Sequence, residues 1–599
     1  CVVCTKIVTF STSAGTNSLK YHLSTAHPDD LKKLKDEELV SKRRKMEETE
    51  SEKLQSTIPF ATVSRTVCKV GKPHGTDDVD KHLTKWSESG ARTKEIEDAI
   101  MKMIAVDALP LMTVEKQGFV QLMKTVAPKF VIKSRKYFSE TMLPKLEIRI
   151  KDRIKTEMNG VQHFAITSDG WSSKDGKHHL LAITAHWIDN SFSPKFVVLG
   201  SCAIKGKHSA DNFINMFNRS LEEFGLKRES VTAIVRDGHR AMEAFTNRMN
   251  IIGIHCYSHN LQLVVRDFIE TIDNMKAIIE KLKKYVRKIS KSALSREIFV
   301  EIQKEQNMPS HMLKKETEVR WSSMYLMLQS FVTNRRAITI IQLDHPELCL
   351  PEIYPEEWDK MMELLEVLKT AADTTKSIQS RFDAPLSVII PSLRVMQYKM
   401  ENSLNDDTSE TKANHVQKFI EILQERTESY HSNNTLRTST FCDPRFKDCY
   451  FTKSHRDHIL GLLRSNSENI SINNDVSNEE LPIEVVEKPI SLFTQFLMSN
   501  STLEPPKEDD SCEEELKEYL RTPPIPVSDP YDFWKSQPLL PQMRKLAQKY
   551  LSIPSTSSES ERLFSLSGLI CTPRRSCMKP KTLDQLTFCS ANMKVFGDI

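Results

Sequence analysis

No stretch of this chain stays apolar for long. No run approaches the eighteen or so residues of a membrane span, and Lys and Glu interrupt every candidate, so no membrane partner is expected. Net charge is scarce too: 84 Lys and Arg against 80 Asp and Glu leave +4 over 599 residues. That balance excludes a protein-wide field for nucleic acid, and any basic surface must be local. The sequence begins at Cys1 without an initiator Met, so it is expected to be a piece of a longer chain whose upstream signals cannot be read. Paired cysteine spacings are rare, and most of the 12 cysteines are scattered. This fits a reducing, intracellular setting rather than a disulfide framework. What remains is ordinary for a soluble globular chain, with 39% hydrophobic and 27% charged residues. The length allows roughly four domains, or one fold with a large insertion.

The amino terminus breaks the cysteine pattern. Cys1 and Cys4 stand two residues apart, and His22 and His27 follow in "GTNSLKYHLSTAH". Two thiolates on a knuckle and two imidazoles on one helix face make a Cys2His2 zinc pattern. A module this small cannot fold on apolar burial, and zinc would couple roughly 10–16 kcal/mol of binding energy to folding. The alternative is a chance CxxC beside unrelated histidines. The long spacing and the helix resemble the BED zinc finger, a DNA-binding module, with its usual leading aromatics absent. The resemblance implies that residues 1–30 bind double-stranded DNA through the helix carrying Asn17 and Lys20. Residues 31–90 read as a charged linker broken by Gly71, Pro73 and Gly75. Within it Lys42, Arg43, Arg44 and Lys45 could neutralise phosphates or serve nuclear import, or simply be a solvated face.

Residues 91–160 carry apolar side chains at helical spacing (Ile96, Ile100, Met103, Ile104) up to a stop at Pro110, then further amphipathic runs. The pattern then changes. "HFAITSDGWSS", "HHLLAITAHWID" and "KFVVLGSCAI" read as short β-branched strands, followed by a helix, the strand "VTAIVRDG", the helix "MEAFTNRM" and a strand in "IIGIHCYSHNLQLVV". Three strands, helix, strand, helix, strand is the order of an RNase H-like core, assigned to residues 161–270. Aspartates at the ends of its first and fourth strands, Asp169 and Asp237, would meet above the sheet. Two adjacent carboxylates repel unless a cation sits between them. Hard oxygen ligands suit Mg²⁺ or Mn²⁺, and a third carboxylate, Glu561 in "STSSESERLFS", could complete a two-ion phosphoryl-transfer site. The competing reading makes the aspartates turn formers and Glu561 a partner of its helix dipole.

These motifs together resemble hAT-family transposases and the host BED proteins derived from them, over nearly the whole chain. "TSDGWSS" carries the family's first aspartate onto Asp169, "VRDGHRAM" the second onto Asp237, and "SESERLFS" the glutamate onto Glu561. Gly238 and Arg240 replace the asparagines that usually follow the second aspartate, and Arg236 or Arg240 is expected to pair with Asp237 and compete with a metal. "CYSHNLQL" maps the family's cysteine and histidine onto Cys256 and His259, read here as packing or supporting residues. "EVRWSSMY" places Arg320 and Trp321 near DNA, with a plain core role as the alternative for Trp321. "CDPRFK" is another recurrent stretch.

The resemblance further implies a large all-α insertion over residues 271–511, with mobile acidic loops expected at 464–512, and a C-terminal dimerisation region, 512–599, that completes the core. Phe533, Trp534, Leu546, Tyr550, Leu551, Leu563 and Phe564 must bury against the fold, a second subunit, or both. The expected fold is thus α/β: an RNase H-like core interrupted by helices, with an N-terminal BED finger and a C-terminal hAT dimerisation region. The expected protein is a nuclear, zinc-dependent, homodimeric DNA-binding protein in transcription regulation. The alternative is an active hAT transposase using Asp169, Asp237 and Glu561.

Overall fold

The structure, a computed structural model, describes residues 85–172, 176, 179–204, 206–317, 321–378, 384–404, 409–471, 508–525, 529–571 and 578–597, apart from the side chains of 377–378, 466–471 and 508–510. It divides into two compact units, Cys1–Leu83 and Thr84–Ile599. Cys1, Cys4, His22, His27, Asn17, Lys20, Lys42, Arg43, Arg44, Lys45 and Arg320 all lie outside the described residues.

The second unit is mixed α/β and mostly helical, with one five-stranded sheet among the described residues. Its first helix, Ala91–Val106, buries Ile100, Met101 and Ile104. A short turn after Pro110 leads to the helix Gln117–Val126, and Leu143–Glu157 closes this layer with Leu146, Ile150 and Ile154 inward. The strands follow: β1 Phe164–Ser172, β2 His179–Ile188, β3 Pro194–Ala203, β4 Val231–Arg236 and β5 Gly253–His255. Their order is β3-β2-β1-β4-β5. β1–β2 and β2–β3 are antiparallel, whereas β1–β4 and β4–β5 are parallel. The antiparallel part follows from the two tight connections, and each parallel step needs a helix to return the chain, here Ala210–Phe224 and Arg240–Met249.

One element differs from the sequence expectation. The apolar run after Ile251 is strand for only three residues, and Tyr257–Thr271 is a helix. Tyr257, Leu261, Val264, Val265 and Phe268 recur every three or four positions, which buries one helical stripe where a strand would expose half of them.

The described residues from 271 to 471 are built from helices. Pro355–Ile378, Ile389–Glu401 and Glu410–Ser432 share one apolar core with Tyr257–Thr271 and Met275–Lys291. The region expected to be loops at 464–512 is helical at both described ends, within Lys453–Ser471 and Glu508–Arg521. No helix among the described residues is long and apolar enough to cross a membrane.

The C-terminal helices Ser558–Ile570 and Pro580–Phe596 return to the sheet, the first against β1 and β2 and the second against β3. β3 is an edge strand, and Asn592 covers its backbone: the side-chain amide accepts from Val198 N–H and donates to Val198 C=O, both at 2.9 Å. Asp584 accepts the Ala203 N–H at 3.2 Å. The last helix therefore occupies hydrogen-bonding positions that an exposed edge would offer to another chain.

Candidate metal centre

Parallel pairing of β1 and β4 sets Ser168 opposite Arg236, so the residues that follow, Asp169 and Asp237, emerge side by side. Asp169 is only 8% exposed, and its Oδ1 has no hydrogen-bond partner. Burial pushes its carboxyl up to about 8, with the negative charges of Asp237 and Glu561 adding to the shift; the Ser557 hydroxyl and the Asp237 N–H partly offset it. Asp237 is half-buried, and its Oδ1 accepts the His239 N–H at 3.0 Å, closing a short turn before the helix Arg240–Met249.

Glu561 sits in the first turn of Ser558–Ile570, whose Leu563 and Phe564 are buried. Phe564 stacks on Trp171 of β1, with centroids 6.2 Å apart. The structure therefore brings Asp169, Asp237 and Glu561 into one electrostatic neighbourhood. Among the described residues, no three His, Cys, Asp or Glu side chains already stand in a metal-holding geometry. The donor chemistry fits a hard divalent cation, with a buried carboxylate oxygen left unpartnered beside two further carboxylates. The spacing would have to tighten around the ion.

The arginine expectation holds for charge but not for hydrogen bonding: the negative charge of Asp237 acts on the Arg236 guanidinium without a direct pair. The Arg236 guanidinium donates to the backbone carbonyl of Asp237 at 2.9 Å and to Thr246 Oγ1 at 3.1 Å, so its hydrogen bonds support the turn instead of engaging the carboxylate. Arg240 is exposed at the start of its helix. Gly238 has a tighter role: a Cβ there would lie 2.7 Å from Nε2 of His255. That ring is half-buried, with its Nε2 enclosed and without a partner, and burial, with His259 and Arg236 nearby, lowers its pKa to about 4. An asparagine at 238 would require the His255 ring to move.

Sequence reasoning missed how Glu561 is held in place. Ser557 occupies the N-cap position but makes no side-chain cap bond; its hydroxyl faces Asp169, and its N–H donates to Cys256 Sγ at 3.4 Å. Ser560 Oγ meets Thr167 Oγ1 at 2.9 Å, and Thr167 in turn meets Thr184. Tyr257 N–H donates to Ser555 C=O at 3.1 Å, and Leu386 N–H to Ile553 C=O at 2.7 Å. The segment 553–560 is thereby tied to β1, to the end of β5 and to the helical insertion. Serines in a row before a helix read as caps, and only the tertiary fold turns them into ties.

Other expected site residues find core positions. Trp321 is buried in the helical core edge-on to Tyr325, so its ring is committed to packing. Trp534, Leu546, Leu563 and Phe564 are buried within the chain, and Phe533 and Tyr550 pack partly buried against the same cores. Trp534 donates to Cys442 C=O at 2.8 Å and stacks on Tyr519. Four of these six side chains are thus buried in the chain's own cores, and Phe533 and Tyr550 keep part of their surface exposed.

Three family models match in chain order: the ZBED1 RNase-like domain over 167–251, the ZBED1 RNase-like helical domain over 254–367, and the hAT family C-terminal dimerisation region over 515–593. In these three regions the chain is similar to the hAT transposase-derived proteins. Zinc finger BED domain-containing protein 4 of Homo sapiens is 22% identical over 97% of this chain and 49% of its own length. A Zea mays protein named as an AC transposase is 23% identical over 81% of this chain and 63% of its own length. A Talaromyces stipitatus protein named as a transcriptional regulator is 22% identical over 82% and 61%. The chain thus spans from about half to less than two thirds of the length of these relatives.

Proposed function

We propose that this hAT-derived chain is a nuclear, zinc-dependent DNA-binding protein that acts as a homodimer in transcription regulation, with an RNase H-like carboxylate site that takes a divalent cation weakly. The reading of the site rests on Asp169: its burial and raised pKa leave it largely protonated at neutral pH. A cation must displace that proton and draw Glu561 closer before it is held. Bound Mg²⁺ or Mn²⁺ would supply Lewis-acid stabilisation to a phosphate, while Asp237, Ser557 and Glu561 orient the site around it. The finger reading rests on the Cys1, Cys4, His22, His27 spacing and on relatives named as BED zinc finger proteins.

The second reading, an active transposase, is favoured by one observation: three carboxylates separated by up to 392 residues converge on one sheet end. Wild-type protein and Asp169→Asn, each with duplex DNA and Mg²⁺ or Mn²⁺, separate the two. Cleavage-free DNA binding by both proteins is expected. Strand cleavage by the wild type that Asp169→Asn abolishes would establish the transposase instead.

A further inference from the structure

The helix Met275–Lys291 carries Lys276, Lys281, Lys283, Lys284, Arg287, Lys288 and Lys291 against one acidic residue, Glu280, in a chain whose whole net charge is only +4. Its apolar face is fully committed: Ile278, Leu282, Tyr285, Val286 and Ile289 are buried in the helical core. That commitment decides between the usual partners of a basic amphipathic helix. A lipid surface or an apolar groove needs the apolar face, so only charge is on offer here.

Some of the cations are used internally. Lys276 pairs with Glu270, Lys281 with Glu357, Lys283 with Glu280 and Glu316, and Lys288 donates to the Cys349 carbonyl. Lys284, Arg287 and Lys291 are exposed; Glu280 feels the charges of Lys284 and Arg287 but spends its ion pair on Lys283. Their spacing of three and then four residues places them on one stripe, about 10 Å from first to last at 1.5 Å per residue. Lys283 ties Glu316 to the same helix, bringing the exposed pair Lys314 and Lys315 to its flank. A row of exposed cations in excess over the single Glu280, on a helix packed along its other face, fits the regularly spaced phosphates of a duplex.

We propose that Lys284, Arg287 and Lys291, flanked by Lys314 and Lys315, form a second DNA surface on the helical insertion that binds the phosphate backbone without reading sequence. The inference rests on the proposed DNA-binding function and adds a surface separate from the finger. The surface would anchor the body of the protein on DNA beside the bound site.

The test uses the full chain and a duplex of arbitrary sequence, with affinity measured from low to physiological salt. Each phosphate contact contributes about 0.9 to the slope of log affinity against log salt. The triple variant Lys284→Ala/Arg287→Ala/Lys291→Ala should lower that slope by about 2 to 3 and keep the wild-type melting temperature, since alanine favours the helix. An unchanged slope in a folded variant overturns the proposal while leaving DNA binding by the finger standing. Failure of the wild type to bind DNA at all overturns the functional reading itself. Equal loss of binding to polyglutamate by the variant, with DNA affinity unmoved, would make the surface one for acidic proteins and also overturn it.

Discussion

Thr167 of β1 and Ser560 of the helix Ser558–Ile570, 393 residues apart, share a buried hydroxyl–hydroxyl hydrogen bond of 2.9 Å. Glu561 is the next residue, so this bond fixes the register at which the C-terminal carboxylate faces Asp169. Thr167 also meets Thr184, which reaches His186 at 2.8 Å, so the tie continues across β1 into β2. Thr167→Val keeps the shape and removes the hydroxyl, leaving Ser560 and Thr184 short of a partner in the interior. A loss of about 1–3 kcal/mol in chemical denaturation is expected, with weakened Mn²⁺ binding. Ser565→Ala on the exposed side of the same helix should change neither.

Asp169 makes a pH prediction whose sign follows from its raised pKa of about 8. An unfolded aspartate titrates near 4. The fold therefore favours the protonated form: its full stability is present below about pH 4 and is lost as pH rises toward 8. The slope from this group is at most about 1.4 kcal/mol per pH unit. Asp169→Asn should flatten melting temperature against pH over that window. Mn²⁺ should stabilise the wild type more at pH 8 than at pH 6, because the ion competes with one proton, and should do nothing for the variant. A wild-type profile as flat as that of Asp169→Asn would sink the account.

The "CDPRFK" stretch becomes intelligible only in the structure. Asp443 accepts from Arg445 at two nitrogens and from Ser387 at 2.6 Å. Lys447 is enclosed, and its Nζ donates to Tyr519 C=O, Thr522 C=O and Thr522 Oγ1, capping the end of Glu508–Arg521. The motif thus clasps the C-terminal region to the insertion. Lys447→Met should cost about 1–3 kcal/mol by leaving the buried Tyr519 carbonyl unmet, without moving the salt dependence of DNA binding. If unfolding free energy is unchanged, the clasp reading fails.

Much of this architecture was legible in the sequence, for physical reasons that differ by element. β1 to β4 announce themselves because β-branched runs such as "VTAIVR" have little alternative. The chain at 251–265 did not, since a short apolar run suits strand or helix until the burial of Leu261 and Phe268 decides. Asp169 and Asp237 could be paired from strand order alone, but Glu561 needed the family pattern because nothing local points 392 residues away. The ties at Ser557 and Ser560 were hidden, since a serine's partner is tertiary. The large apolar groups near the end are expected to bury against the fold, a second subunit or both, and the chain's own core takes up Trp534, Leu546, Leu563 and Phe564.

Trp534 tests that last point. Its indole is fully enclosed, stacked on Tyr519 at 5.1 Å and bonded to the Cys442 carbonyl. If it were a dimer contact, Trp534→Ala would give a folded monomer with an unchanged melting temperature. Because it fills the chain's own core beside Leu546 and Tyr531, the substitution should leave a large cavity and an unpaired carbonyl. A loss of about 3–5 kcal/mol is expected, with aggregation outrunning any clean dissociation. Sedimentation velocity beside a denaturation curve distinguishes these outcomes. A stable, dispersed monomer would return Trp534 to the interface and require the C-terminal helices to open on association.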